Sequence, residues 1–445
     1  MFVLLFGALF VMVFGWTVKS TISGSNKAGF FGDAAVAIAS FPTLAKTVFS
    51  DVQIDALYND ITIRVPRTNA DLSDFVVIDS KSGIDVKGLV MQVNNKELLS
   101  RASGWRILVG AFTIDDEMKN AAVALSSDLE IVKVWLLEEE VTGVYEVRAP
   151  HRKFIHGFDI LDDGSVIFSF DGGATLQRID KCGNRVWVVE GLFHHSVTLD
   201  DKQQFVWTLR FPGDVVQVAT ATGEIGRHFT MDDVIMANPD IDILEIRRSK
   251  LNDNGGNSRN TTERWLNDPF HLNDVDPLPS ALAGSYEGFD AGDLMLSARN
   301  LNLVFVLDPV TLKIKWWRTG ATKNQHDPDW SSTGKITVFD NRMSRDYSRI
   351  ISLDLKSYGT KSLLDGRKIN FYSRIRGKHQ ITEAGNILVT STQQGRVFEV
   401  DMDGNRVLEI INKKLGSDKF NYVISEAIWL PSKTLNFRDN LLCKN

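Results

Sequence analysis

His156-Gly-Phe-Asp-Ile-Leu-Asp-Asp-Gly-Ser-Val-Ile-Phe-Ser-Phe170 reads as a strand, a tight polar turn and a second, almost wholly apolar strand. The same plan returns at His195-Ser-Val-Thr198 leading to Phe205, at His326-Asp-Pro-Asp329 leading to Ile336, and at His379-Gln-Ile-Thr382 leading to Ile387. A fifth copy opens at His271-Leu-Asn-Asp274, and its apolar strand, Leu296-Ser-Ala, ends on Arg299. Period-2 alternation broken by Asp/Gly turns marks short strands, and self-similarity along the chain marks a repeat architecture. Five of the eight histidines open equivalent segments. In a ring of repeats they would converge on one axis.

Between these segments lies a complementary hairpin, a strand, a D-x-x-G-like turn and a strand bearing an aromatic or branched residue, as in Leu176-Gln-Arg-Ile-Asp-Lys-Cys-Gly-Asn-Arg-Val-Trp187. Such outer hairpins begin near residues 122, 176, 216, 304, 350 and 397. Inner segments begin at His156, His195, His271, His326, His379 and Ser425. Pairing the two sets predicts an all-β fold, a six-bladed β-propeller of four-stranded blades. The first outer hairpin has no inner partner before it and the last inner segment no outer partner after it. Joining residues near 425–435 to those near 121–137 would close the ring and leave no free sheet edge. An antiparallel sandwich would not explain the blade-like repeat.

The propeller is expected over residues 104–445, with a lid-like insertion at 228–270 that contains a helical stretch and a polar Asn/Gly/Ser/Thr loop. Residues 19–103 read as a linker and a small N-terminal β extension. Residues 1–18 are apolar and uncharged, close to the ~20 residues of a membrane-crossing helix. No basic stretch precedes them and no small-residue cleavage site follows, which favours an uncleaved membrane anchor over a signal peptide. Lys19 and Lys27 follow the segment, so charge alone would leave the bulk of the chain in the cytoplasm.

Of the 445 residues, 43% are hydrophobic and 24% charged, ample for a core. A net charge of -6 and the lack of a basic run speak against a nucleic-acid partner. Two cysteines, Cys182 and Cys443, exclude a disulfide framework but leave room for one bridge.

Three readings compete for the histidines. They can tie each blade to the next; they can hold a metal, although their spacings are those of whole repeats and match no ligand signature; or they can serve covalent chemistry on an anion. His271, Asn273 and Arg299 favour the third. A guanidinium fork suits tetrahedral oxyanions, and neutral imidazole is a nucleophile near working pH. No Walker loop, Rossmann glycine pattern or G-x-S-x-G elbow is present, so nucleotide-dependent and serine-hydrolase chemistry have no support.

Asp268-Pro-Phe-His-Leu-Asn-Asp274, Gly292-Asp-Leu-Met-Leu-Ser-Ala-Arg-Asn300, Trp316-Trp-Arg-Thr-Gly320, Gln325-His-Asp-Pro328 and Phe193-His-His-Ser196 together resemble the bacterial, nucleotide-independent arylsulfate sulfotransferases. The resemblance spans roughly residues 104–430. It implies a six-bladed propeller that moves a sulfuryl group from an aryl sulfate donor to a phenolic acceptor in two steps, through a sulfated histidine, with no cofactor and no metal. By that resemblance His326 is the nucleophile, His271 and Asn273 form the His-x-Asn pair, and Arg299 grips the sulfuryl oxygens. The earlier family histidine falls on His195 by repeat alignment or on His194 by its preceding Phe; His195 is favoured, with His194 as substrate contact. The family's threonine has Thr390 or Thr392 as counterpart. The family's habit would put the propeller on the periplasmic or extracytoplasmic side. The chain lacks the family's closely spaced cysteine pair, and residues 50–100 match its N-terminal β domain poorly; a homo-oligomer stays open. The rival reading is a non-catalytic, quinoprotein-like propeller that binds or scaffolds, supported by the D-x-x-G-x-x-x-W hairpin.

Overall fold

The computed structural model describes residues 2–22, 30–32, 34–36, 38–39, 62–64, 72–140, 153–171, 173–211, 213–244, 269–343, 345–417, 420–432 and 443. Two compact units divide the chain, Met1–Asp60 and Ile61–Asn445.

In the first unit, Phe2–Ile22 is a helix of 21 residues. Among the described residues no helix is long and apolar enough to cross a membrane. The uncharged run ends at Lys19, and at ~1.5 Å per residue it falls short of a ~30 Å hydrocarbon layer. The expected helix is present, but it gives the membrane anchor no support. Most of residues 34–48, in the expected linker, lies outside the described residues.

The second unit is the propeller. Its first blade runs Ile424–Pro431, Gly104–Ile114, Glu117–Leu125 and Ile131–Leu136 from the axis outward. The second comprises Ile155–Ile160, Val166–Phe170, Thr175–Ile179 and Arg185–Glu190, and the third Phe193–Leu199, Phe205–Arg210, Asp214–Ala219 and Ile225–Thr230. Leu272–Pro277, Leu294–Ala298, Leu303–Leu307 and Ile314–Thr319 form the fourth; His326–Trp330, Ile336–Asp340, Arg349–Leu353 and Thr360–Asp365 the fifth. The sixth comprises Lys378–Ile381, Ile387–Ser391, Arg396–Val400 and Arg406–Asn412. The count of six four-stranded blades matches the sequence reading.

Closure differs from the expectation. The C-terminal strand pairs with Gly104–Ile114, Ile428 opposite Ile107 and Trp429 opposite Arg106, rather than with residues 121–137. One strand from the chain end joins three from the beginning, because Gly104–Ile114 is an 11-residue strand, ten of its residues buried, that needs partners on both edges. The N-terminal β extension is built onto the propeller: Leu89–Val93 pairs with Leu408–Asn412 at the outer edge of the sixth blade, and Val86–Lys87 pairs with Thr113 and Ile114.

The tryptophans of the outer hairpins have a structural task. The indole of Trp135 donates to the Gly164 carbonyl at 3.1 Å, Trp187 to Thr220 at 2.6 Å, and Trp316 to Leu355 at 3.0 Å. Each ties its blade to the turn of the next while burying a large apolar body. In the D-x-x-G-x-x-x-W hairpin that tryptophan is Trp187, which serves as blade-to-blade adhesive. Disulfide Cys182–Cys443 links a second-blade turn to the C-terminal segment.

The described part of the insertion packs against the propeller. Thr230 and Asp233 cap the helix Met231–Ala237 reciprocally. Met231, Val234, Leu244 and Phe270 pack with Trp207 and Leu209 of the third blade and Leu272 and Leu296 of the fourth. The polar loop Leu251 to Arg264 lies outside the described residues.

Candidate active site at the start of the inner strands

Inner strands begin irregularly in the blades that carry the candidate residues. Their register shifts between Ile155 and Gly157, His194 and Val197, Leu272 and Asp274, and His326 and Pro328. An extra residue at such a point leaves the ladder and re-aims a side chain. His195 (φ 65°), His271 (φ 49°) and Asp327 (φ 51°) adopt the left-handed backbone that these bulges require, at a cost on the order of 1–3 kcal/mol each. The inner strand of the sixth blade has no bulge: Lys378–Ile381 pairs regularly with Ile387–Thr390.

The bulges gather imidazoles from three separate blades around His195. Its ring centroid lies 3.9 Å from that of His156, 5.1 Å from His271 and 6.4 Å from His326. A narrow cavity is lined by His156, His195, Asn273, His326, Arg376 and Ser425 among others. Among the described residues, Nδ1 of His156, Oδ1 of Asn273 and Oγ of Ser425 are buried with no hydrogen-bond partner. Three orphaned polar atoms lining one cavity are what a polar ligand would satisfy.

His326 is 5% exposed and held at both ring nitrogens, Nδ1 lying 2.7 Å from Oδ1 of Asn341 and Nε2 accepting from the Arg376 backbone N–H at 3.2 Å. Burial, then the charge of Arg299, holds its pKa well below the ordinary imidazole value, although Asn341 works the other way. His195 and His156 are likewise pushed well down, first by burial, then by neighbouring His156 and Arg376 respectively. These three rings are neutral at working pH, as a nucleophile must be.

Asn273 is anchored through Nδ2, which donates to the Gln325 carbonyl at 2.8 Å. Arg299 sits in the turn after the second strand of the fourth blade, its backbone N–H bonded to the His271 carbonyl and its Nη2 3.9 Å from Sδ of Met343. His194 keeps its place in the ladder opposite Leu209, and its Nδ1 lies 2.5 Å from that of His195. His195 lines the cavity; His194, Thr390 and Thr392 do not. Thr390 Oγ1 is buried without a partner, and Thr392 Oγ1 donates to the Ser425 carbonyl at 3.5 Å.

The five strand-opening histidines do not all converge on the cavity. His379, in the bulge-free strand, does not line the cavity; its ring binds Asp327 Oδ2 and Thr337 Oγ1 at 2.8 Å each, tying the sixth blade to the fifth. His156, which the sequence did not single out for the site, lines the cavity. Arg376, Lys378 and Glu426 were outside the sequence reading, and Ser425 entered it only as the start of an inner segment. Of these only the His-to-strand spacing of His156 carried a signal; Arg376 comes from a loop, Lys378 from the start of the sixth blade's inner strand, and Ser425 and Glu426 from the closing strand.

Further along the same inner strands lies an acidic layer. Burial pushes Asp159 and Asp274 up to about 6 and Glu426 up to about 8, and Asp276 and Asp329 well above the usual carboxylate range. Burial also opposes the charge of Lys378, yet Asp327 and Asp274 hold its pKa well up. Burial pushes Asp327 up, but Lys378, at 2.9 Å, and His379 outweigh it and bring it to about 2. Asp327, Asp329 and His379 place ligand atoms within 4.8 Å of one another. His379 already spends both nitrogens on hydrogen bonds and Asp327 binds Lys378, so this trio reads as an internal tie.

A family model described as "Arylsulfotransferase (ASST)" matches residues 157–413, more than half of the chain. No curated protein matches. Among solved structures, a protein of unknown function from Bacteroides caccae is 12% identical, with 74% of this chain and 99% of that one covered and a TM-score of 0.48. A streptogramin B lyase is 8% identical, covering 77% and 98%, with a TM-score of 0.42. The virginiamycin B lyase of Staphylococcus aureus is 10% identical over 63% and 84%, with a TM-score of 0.35. At such scores these likenesses bear on neither fold nor activity.

Proposed function

The chain belongs to the arylsulfotransferase family, and from that premise we propose that it transfers a sulfuryl group from an aryl sulfate to a phenol in two steps, with His326 as the covalent carrier. The single observation that carries this reading is the cavity in which neutral His326 and His195 stand beside the orphaned amide oxygen of Asn273.

In the first step the Nε2 lone pair of His326 attacks sulfur. An N–S bond forms as the S–O bond to the aryl group breaks, and the leaving oxygen takes the electron pair and a proton from His271. Sulfuryl transfer, like phosphoryl transfer, passes through a loose transition state with charge on the peripheral oxygens, where Arg299 and His195 supply positive charge or donors. In the second step an acceptor phenol gives its proton to His271 and its oxygen attacks sulfur, restoring His326. The chemistry asks for no nucleotide.

We also place the propeller in an extracytoplasmic or periplasmic setting. What supports this is the Cys182–Cys443 bridge, since disulfides persist in oxidising compartments. The helix Phe2–Ile22 would be a membrane attachment.

The deciding experiment follows release of a coloured phenol from an aryl sulfate, with and without an added phenol. Acceptor-dependent release supports transfer. Release that ignores the acceptor points to hydrolysis, and none at all, with bound ligand detected, favours a binding propeller.

A further inference from the structure

Asn341 has no place in the family resemblance drawn from the sequence, yet it determines what His326 can do. It follows directly on the second strand of the fifth blade and is fully buried. Its Nδ2 donates to two backbone carbonyls, Ser373 at 2.9 Å and Arg376 at 2.6 Å. Both protons of the amide are thereby committed, so the oxygen is the atom turned toward His326, and it can only accept. The other face of the ring gives the same answer independently. Nε2 of His326 meets the backbone N–H of Arg376, a group that can only donate.

We propose that Asn341 is a positioning residue that locks His326 in the Nδ1–H tautomer, so that Nε2 is the atom that receives and hands on the sulfuryl group. The proposal rests on the transfer reading above. When sulfur bonds to Nε2 the ring becomes an N-sulfo imidazolium, and the positive charge appears at Nδ1–H, 2.7 Å from Asn341 Oδ1. A carbonyl dipole there stabilises the charged ring without taking its proton. The ring therefore remains a good leaving group for the second step. A carboxylate in its place would stabilise the imidazolium form of the free ring as well. An amide supports the intermediate while leaving the resting ring neutral, alongside Arg299 and His271 from the fourth blade, His195 from the third, Arg376 from the loop before the sixth and Lys378 from the sixth blade's first strand. The Arg376 N–H that donates to Nε2 would pass to a sulfuryl oxygen once Nε2 is bonded to sulfur.

The test is nitrogen NMR on full-length protein carrying ¹⁵N-labelled histidine, with His326→Asn used to assign the signal. In the wild type, His326 is expected to show a protonated Nδ1 and a bare Nε2. Asn341→Leu should move the ring toward the Nε2–H form. It should also lower kcat of the first half-reaction by about 10- to 10⁴-fold, the range from lost orientation to a wrong tautomer, with KM little changed. Asn341→Asp should keep the Nδ1–H form and regain part of kcat, with its acid limb moved to higher pH. A wild-type ring protonated on Nε2 overturns the proposal even if no variant folds, as does an Asn341→Leu enzyme with unaltered kcat. If the tautomer is as expected but His326→Asn still turns over, the sulfohistidine reading fails and with it the role of Asn341 in transfer, while its hold on the ring stands.

Discussion

Arg106 in the first blade and Glu399 in the last lie 2.6 Å apart, with side chains 1% and 0% exposed. The guanidinium reaches the carboxylate through both Nε and Nη2, and Asn386 donates to the remaining carboxylate oxygen at 2.7 Å. This pair sits at the seam where the ring closes, next to the pairing of Trp429 with Arg106. Breaking a buried pair leaves an uncompensated charge. Arg106→Met should therefore cost about 3–5 kcal/mol in denaturant unfolding. Arg106→Met combined with Glu399→Met should recover most of that loss. A single variant within 1 kcal/mol of wild type, about the value of a surface pair, would show that the seam is held by strand pairing alone.

Glu426 should make stability depend on pH. Burial raises its carboxyl from 4.5 to about 8, so between those values the folded protein holds a proton that the unfolded chain has lost. That contribution is fully present below about 4.5 and drains away as pH rises through 8. Glu426→Gln mimics the protonated side chain at every pH. Its Tm should exceed that of wild type at pH 9, and the gap should narrow toward pH 5. Parallel Tm curves would mean that the carboxyl is not buried as described.

For catalysis the expected acid limb is equally specific. Because burial and Arg299 depress His326, the neutral, attacking form persists on the acid side of the usual imidazole range. Activity in the first half-reaction should stay level as pH falls through 6.5, a limb near 6.5 being the result that contradicts it.

The carrier itself can be trapped. Donor added without acceptor should leave a sulfuryl adduct on the peptide containing His326, seen by mass spectrometry after digestion at neutral or basic pH. His326→Asn should keep the fold and bind an aryl sulfate, yet lose both half-reactions. Turnover by wild type with no adduct, together with an active His326→Asn, would move attention to His195 or His271.

Arg299 should tolerate lysine better than alanine. An ammonium keeps the charge but lacks the planar fork that grips two oxygens. Arg299→Ala is expected to lose about 10²–10³ in kcat, the usual cost of one donor to a developing oxyanion. Arg299→Lys should fall between that and wild type. Equal losses for both would assign the side chain a packing role against Met343.

The number of blades, their four-strand plan and the polar turns were legible in the chain, because strand alternation and Asp/Gly turns are local properties. The family was legible too, through His271, Asn273, Arg299 and His326 in their flanking motifs. The sequence also determined which side chains stand at the starts of the inner strands. It did not determine where they point. His156 and His379 open similar segments, yet a register shift turns the first into the cavity and a regular ladder sends the second to Asp327 and Thr337. One extra residue in a strand changes the face on which a side chain falls, and whether it is accommodated depends on the neighbouring strand. The closing strand was legible, but its exact partner was not, because that partner lies more than three hundred residues away. Asn341 became visible only when Ser373 and Arg376, residues of the next blade's loop, supplied the carbonyls that fix its amide. Local pattern set the residues and the repeat; contacts between distant segments decided which of them meet and which nitrogen is left to react.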